Sequence, residues 1–224
     1  MKNKIVFISL FIGCYLCFLV ATLPAHVAMQ FISLPKTVQL SEAKGSIWQV
    51  EFESINYQGF AVSNISADMS PLSLLILSPK IDLNFGGSLL AGPKGQAYLS
   101  YSFGTITVED ATIDIAASEI APYLLLPVPV DAFGNVSLAL TELEVDEQLQ
   151  CQQAQGALSW QRAAATAIEQ TVELGDFNGV ISCQKGAFAL TINPDNDLGL
   201  TYSASVNAKG QLNGQGTMTY TDGD

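Results

Sequence analysis

The hydrophobic period of the chain changes once. From Ile5 to Leu23, nineteen residues run without a charge, preceded by Lys2 and Lys4 and ended by Pro24. A helix needs roughly 20 such residues to cross a bilayer core. After residue 40 the period falls to two. Trp48, Val50 and Phe52 alternate with Gln49, Glu51 and Glu53, and Ile55 and Tyr57 continue at the same step, as in a half-buried antiparallel strand with one wet face. The signature returns at Ile81, Leu83 and Phe85; at 99–103 and 105–108; at Val136, Leu138 and Leu140; at Phe188, Leu190 and Ile192; and from Leu198 to Val206.

Turn clusters separate these runs: Gly86-Gly87, Gly92-Pro93-Lys94-Gly95, Asn193-Pro194-Asp195-Asn196 and Asn213-Gly214-Gln215-Gly216. The pattern predicts a mainly β fold, an antiparallel sheet domain preceded by a single N-terminal transmembrane helix. Two stretches depart from it. Pro71 to Leu77 reads as a short helical turn, and 161–174 reads as a helix because Arg162 and the alanines that follow are strong helix formers and Gly175 stands where a C-terminal cap belongs. Pro122, Pro127 and Pro129 suggest a stiff crossing between two halves, 41–120 and 131–224.

The apolar run has two readings, a cleaved secretory signal or a retained anchor. A signal has a shorter core, of about 7 to 15 residues, and small residues at −3 and −1 of the cut. Cutting after Ala21, Ala25 or Ala28 puts Leu19, Leu23 or His26 at −3, so the anchor is favoured. The expected organisation is a cytoplasmic tail at 1–4, a transmembrane anchor at 5–23, a membrane-proximal linker at 24–40 and an exported β domain at 41–224. In the linker, Phe31-Ile32-Ser33-Leu34 extends the helix or lies in the interface. Both early lysines precede the span and the next cation is Lys36, which sets the N-terminus inside and the bulk of the chain outside. Cys14 and Cys17 are then ordinary apolar membrane residues. In an oxidising compartment Cys151 and Cys183 are expected to pair, with Trp160 near the bridge; two buried free thiols are the alternative.

Charge narrows the function. Nine Lys plus Arg face 21 Asp plus Glu, for a net −12, and beyond Leu34 seven cations against the same 21 acids leave −14. No basic stripe exists to neutralise phosphates, so nucleic acid is excluded as a partner. The one histidine, His26, adjoins the apolar run with no nearby acid, and reads as an interfacial residue rather than a base or metal ligand. No nucleophile elbow, phosphate loop, dinucleotide fingerprint or His-Glu-x-x-His is present. Asp195-Asn196-Asp197 with Gly199 faintly suggests calcium, but Val206 stands near where a closing Glu belongs, and a hairpin turn explains the residues better. No enzyme activity, metal or cofactor is expected. Glu142, Glu144, Asp146 and Glu147 form an acidic cluster, either a solvated strand edge or a docking patch for a basic partner.

Several segments together carry a family resemblance. Gly45-Ser46-Ile47-Trp48, Met69-Ser70-Pro71-Leu72-Ser73-Leu74-Leu75 and Gly134-Asn135-Val136-Ser137-Leu138 are followed by Cys151, Gly156-Ala157-Leu158-Ser159-Trp160, Leu174-Gly175 and Cys183-Gln184-Lys185-Gly186. In this order they resemble the type II secretion system protein N family. The resemblance implies a Gram-negative inner-membrane protein with one span and a periplasmic β domain. It would be a non-enzymatic accessory of the machine that moves folded exoproteins across the outer membrane, with other components of that machine as partners. The departure is at the end: members of that family usually continue past another glycine turn with a further apolar strand pair, whereas this sequence stops at Thr221-Asp222-Gly223-Asp224. The rival reading is an anchored β-groove protein of the envelope lipid-transfer type, because alternating strands serve equally to line a groove for acyl chains.

Overall fold

The computed structural model describes residues 2–31, 37–57, 60–75, 77–87, 92–123, 130–167 and 170–218. The apolar run forms helix α1 (Lys2–Ala21), with Phe7, Phe11 and Phe18 exposed. Counted over the described residues alone, no helix is long and apolar enough to cross a membrane. A short helix α2 (Ala25–Met29) follows Pro24.

Among the described residues thirteen strands then form one antiparallel sheet. They begin with β1 (Val38–Leu40), β2 (Ala43–Ser46), β3 (Gln49–Tyr57) and β4 (Phe60–Met69). Helix α3 (Pro71–Leu75) leads to β5 (Lys80–Phe85), β6 (Lys94–Ser102) and β7 (Thr105–Ala116). After α4 (Ala117–Ile120) and a single tight turn at 121–123 come the long central strands β8 (Asp131–Asp146), β9 (Cys151–Ala167) and β10 (Gln170–Gln184). β11 (Ala187–Ile192), β12 (Leu200–Val206) and β13 (Leu212–Met218) complete the sheet. Nearly every strand pairs with its neighbours in sequence; only β2 stands off the path, paired with β3. The helical turn expected after Pro71 is present; Ile76 lies outside the described residues.

Of the stretch 161–174, residues 161–167 and 170–174 are strand, not helix, and 168–169 lie outside the described residues. Ala163 to Ala167 continue β9 and pair with Gly175 and with Gln170 to Glu173, while Asp131 to Phe133 of β8 flank the other side. Helix propensity is a weak prior that neighbours override, and here Ala163, 2% exposed, fills a tight place beside Phe177 and Ile192. Gly175 caps no helix. Its φ of +79° lies at a register shift in β10. Asn213-Gly214-Gln215-Gly216 is also strand rather than turn. Both glycines face the Tyr202 ring, and a Cβ on Gly216 would come within 3.0 Å of Tyr202 Cδ2, so they admit the aromatic across the strand pair. Lys94 and Gly95, expected in a turn, open β6.

The alternation of β3 is also interrupted. Phe52 to Ile55 is a step of three, and across from it Asn64 of β4 takes φ +49°. Asp110 in β7 (φ +46°) and Arg162 in β9 (φ +51°) interrupt their strands in the same way. At each, the apolar series resumes one residue out of step: Phe60 and Val62 before Asn64, Ile65 and Ala67 after it; Ile106 and Val108 before Asp110, Ala111 and Ile113 after it. Asp110 and Arg162 lie at register shifts, bulges that bend and twist a sheet, whereas at Asn64 β3 and β4 change step together with their register kept; all three keep one face apolar.

The face is legible in the register. Ile113, Leu138, Leu158, Gly179, Ile192, Tyr202 and Gly216 stand opposite one another across seven strands. The adjacent row on the other face is Asp114, Ser137, Ser159 and Asn178. Small clusters of buried residues sit on the apolar side, one where Ala117 of α4 and Ala121 of the turn after it pack against Ala132, Val136 and Trp160, the other around Ala163, Phe177 and Ile192. Among the described residues no second layer covers the rest.

β7 and β8 pair from Thr105–Asp146 to Ala116–Asn135, so the sheet runs unbroken between 41–120 and 131–224. Pro122 lies in the tight turn before the crossing, while Pro127 and Pro129 fall outside the described residues.

Candidate interaction site

The Gly45-Ser46-Ile47-Trp48 segment is a clasp. Gly45 takes φ +87°, and Ser46 Oγ accepts from the amides of Trp48 and Gln49, each at 3.3 Å. The turn so formed holds the end of α1: the Trp48 indole N–H donates to Ala21 O at 3.2 Å, and the Ile47 amide donates to Leu23 O at 3.1 Å. Pro24 bridges Ser46, and Ala25 is 3% exposed. The stretch read as a linker, 24–40, is therefore built into the sheet at both ends, through this clasp and through β1 on β3. Residues 32–36 fall outside the described set, so the reading of Ile32-Ser33-Leu34 does too.

The Ser70-Pro71-Leu72-Ser73 segment opens the connection between the adjacent antiparallel strands β4 and β5. Ser73, 6% exposed, donates to Ser70 O at 2.6 Å and accepts from the Lys80 amide at 3.1 Å. Gly134-Asn135-Val136-Ser137-Leu138 places Gly134 (φ +102°) against the Arg162 backbone at a register shift, and Ser137 Oγ donates to Asp114 while accepting from Asn135 Nδ2.

Cys151 and Cys183 are joined by a disulfide, with Cα atoms 5.5 Å apart. It closes the end of the β9–β10 pair beyond its last laddered residues, where the Cys151 amide also bonds Gly186 O at 3.0 Å. Trp160 is not beside it. Nine positions away, about 30 Å along a strand, it stacks on Phe177 at 5.6 Å and donates to Phe133 O at 2.9 Å. Cys14 is free and exposed; the Cys17 side chain lies outside the description.

The acidic cluster divides by task. Asp146 holds the β8–β9 turn, accepting at 2.9 Å from the Gln148 and Gln150 amides and from Gln152 Nε2. Glu147 accepts from the Tyr101 hydroxyl at 3.2 Å. Glu142 and Glu144 lie on the polar face, where Glu142 stands directly opposite Glu109 of β7 and Glu144 opposite Thr107. Like charges in register are unfavourable within one sheet. The Glu109 contribution was hidden in the sequence, since it comes from another strand.

Asn196 organises the 193–199 loop, donating to Asn193 O at 2.6 Å and Leu200 O at 2.8 Å and accepting from the Leu200 amide at 2.9 Å. Asp197 reaches instead toward Gly175. His26 is exposed on α2. Among the described residues no three His, Cys, Asp or Glu side chains are grouped to hold a metal.

The family model for type II secretion system protein N matches residues 36–224. The chain is 26% identical over 190 residues to the type II secretion system protein N of Vibrio cholerae serotype O1, covering 85% of this chain and 75% of that protein. It is 28% identical to the protein of the same name from Aeromonas hydrophila, covering 82% and 72%, and 26% identical to that of Klebsiella pneumoniae, covering 98% and 82%. No solved structure matches.

Proposed function

This chain belongs to the type II secretion system protein N family, and we propose on that footing that it is a non-enzymatic accessory of the secretion machinery. It is held in the inner membrane by α1, and its β domain, 41–224, binds protein partners in the periplasm. The anchor rests on the charge-free run of nineteen residues after Lys2 and Lys4 and on the clasp, which fixes the sheet to the end of that helix. A disulfide suits the periplasm.

The observation that carries the binding role is the carboxylate row on the polar face, Glu109 opposite Glu142 with Glu144 alongside. It fits a basic surface on another secretion component, through a contact that weakens as salt rises. Photo-crosslinking in intact cells from Glu144 and Glu147 tests the reading. Adducts to secretion components support it; adducts only to unrelated proteins, or catalytic turnover of a peptide or ester by the purified chain, contradict it.

A further inference from the structure

The apolar face of the sheet is the largest feature that the secretion role leaves unused. A sheet with one apolar face ordinarily buries it against a second layer. Here α2, α3 and α4 have five, five and four residues, enough to cover corners only. The row from Ile113 through Leu138, Leu158, Gly179 and Ile192 to Tyr202 carries no charge. Eleven strand spacings of about 4.8 Å make the path some 50 Å across, against roughly 15 Å for the hydrocarbon depth of one leaflet.

We propose that this face binds the acyl chains of membrane phospholipid. A second copy is a poor occupant, because two such chains, each of charge −14 beyond Leu34, repel. Protein surfaces bring about one hydrogen bond per 100–200 Å² to an interface, and these rows offer almost nothing to receive them. Acyl chains need none. The face also begins at the β2–β3 turn, which holds the end of α1; under the anchored reading, on which this proposal rests, that end lies beside the bilayer, the nearest reservoir of such chains. The polar face remains free for protein, so one sheet serves two kinds of partner.

The test places a photoreactive residue in the full-length chain at Leu138, Leu158 or Leu190 on the apolar face, at Ser137, Ser159 or Thr191 on the opposite face, and at Phe11 in α1. Each variant is used only where the Cys151–Cys183 bridge forms. After irradiation of intact cells, phospholipid-mass adducts are expected from the three leucine positions and from Phe11, with none from the opposite face. Lipid adducts at the leucines without any at Phe11 support the groove and remove the anchor. Protein adducts at the leucines, equal lipid labelling of both faces, or lipid at Phe11 alone overturn the proposal.

Discussion

Trp48 acts through its indole N–H as much as through its ring, because the bond to Ala21 O joins the sheet to the helix before it. Trp48→Phe keeps an aromatic six-membered ring and removes the donor. The expected result is a loss of about 1 kcal/mol at the clasp, read as faster hydrogen exchange of the Ile47 amide, which bonds Leu23 O, while the β9 amides stay protected. Arg162 is the opposite case, a long side chain at φ +51° whose amide already bonds Asp176. Arg162→Gly should keep that bond, relieve the backbone and raise stability by about 0.5–1 kcal/mol in denaturant unfolding. Neither role was visible in the sequence. Trp48 read as one more alternating apolar position, and Arg162 as the first turn of a helix.

Among the elements, strands rich in large alternating side chains were legible and the alanine-rich one was not. Along 161–167 the small residues hide the period of two, and only the partners in β8 and β10 decide the conformation. The same holds for β13, whose glycines read as turn formers until Tyr202 is placed against them. Gly216→Val should clash with that ring and destabilise the β12–β13 pair by about 1–3 kcal/mol. Adding Tyr202→Ala should recover part of the loss, and a double-mutant cycle in denaturant checks the coupling. The bridge between β9 and β10 is a third element-scale device. Replacing Cys151 and Cys183 together by Ser should lower stability by about 3–4 kcal/mol on the chain-entropy model, measured as a fall in the denaturant midpoint with a steeper slope, because the unbridged unfolded chain exposes more surface.

At the scale of the whole molecule, a two-faced sheet hangs from one apolar helix. The sequence carried the class of fold and the family because alternation, turn residues and motif order are local properties. It did not carry the continuity of the face, which depends on bulges at Asp110 and Arg162 and on the left-handed residue Asn64, none of them visible until strands are paired. The candidate site was half legible: Glu142 and Glu144 stood out, but Glu109 joins them only across the β7–β8 ladder. Both the protein-binding role and the lipid-binding role require the sheet to lie across the inner membrane from the N-terminus. Sided thiol labelling tests this directly. In a chain with Cys14 and Cys17 changed to Ser, the variants Asn3→Cys and Lys209→Cys, each with one free thiol beside the Cys151–Cys183 bridge, are treated with an impermeant maleimide in intact cells whose outer membrane has been made permeable. The account predicts labelling of the Lys209→Cys chain at once and of the Asn3→Cys chain only after the inner membrane is broken. Labelling of Asn3→Cys in intact cells, or protection of Lys209→Cys until lysis, would contradict it.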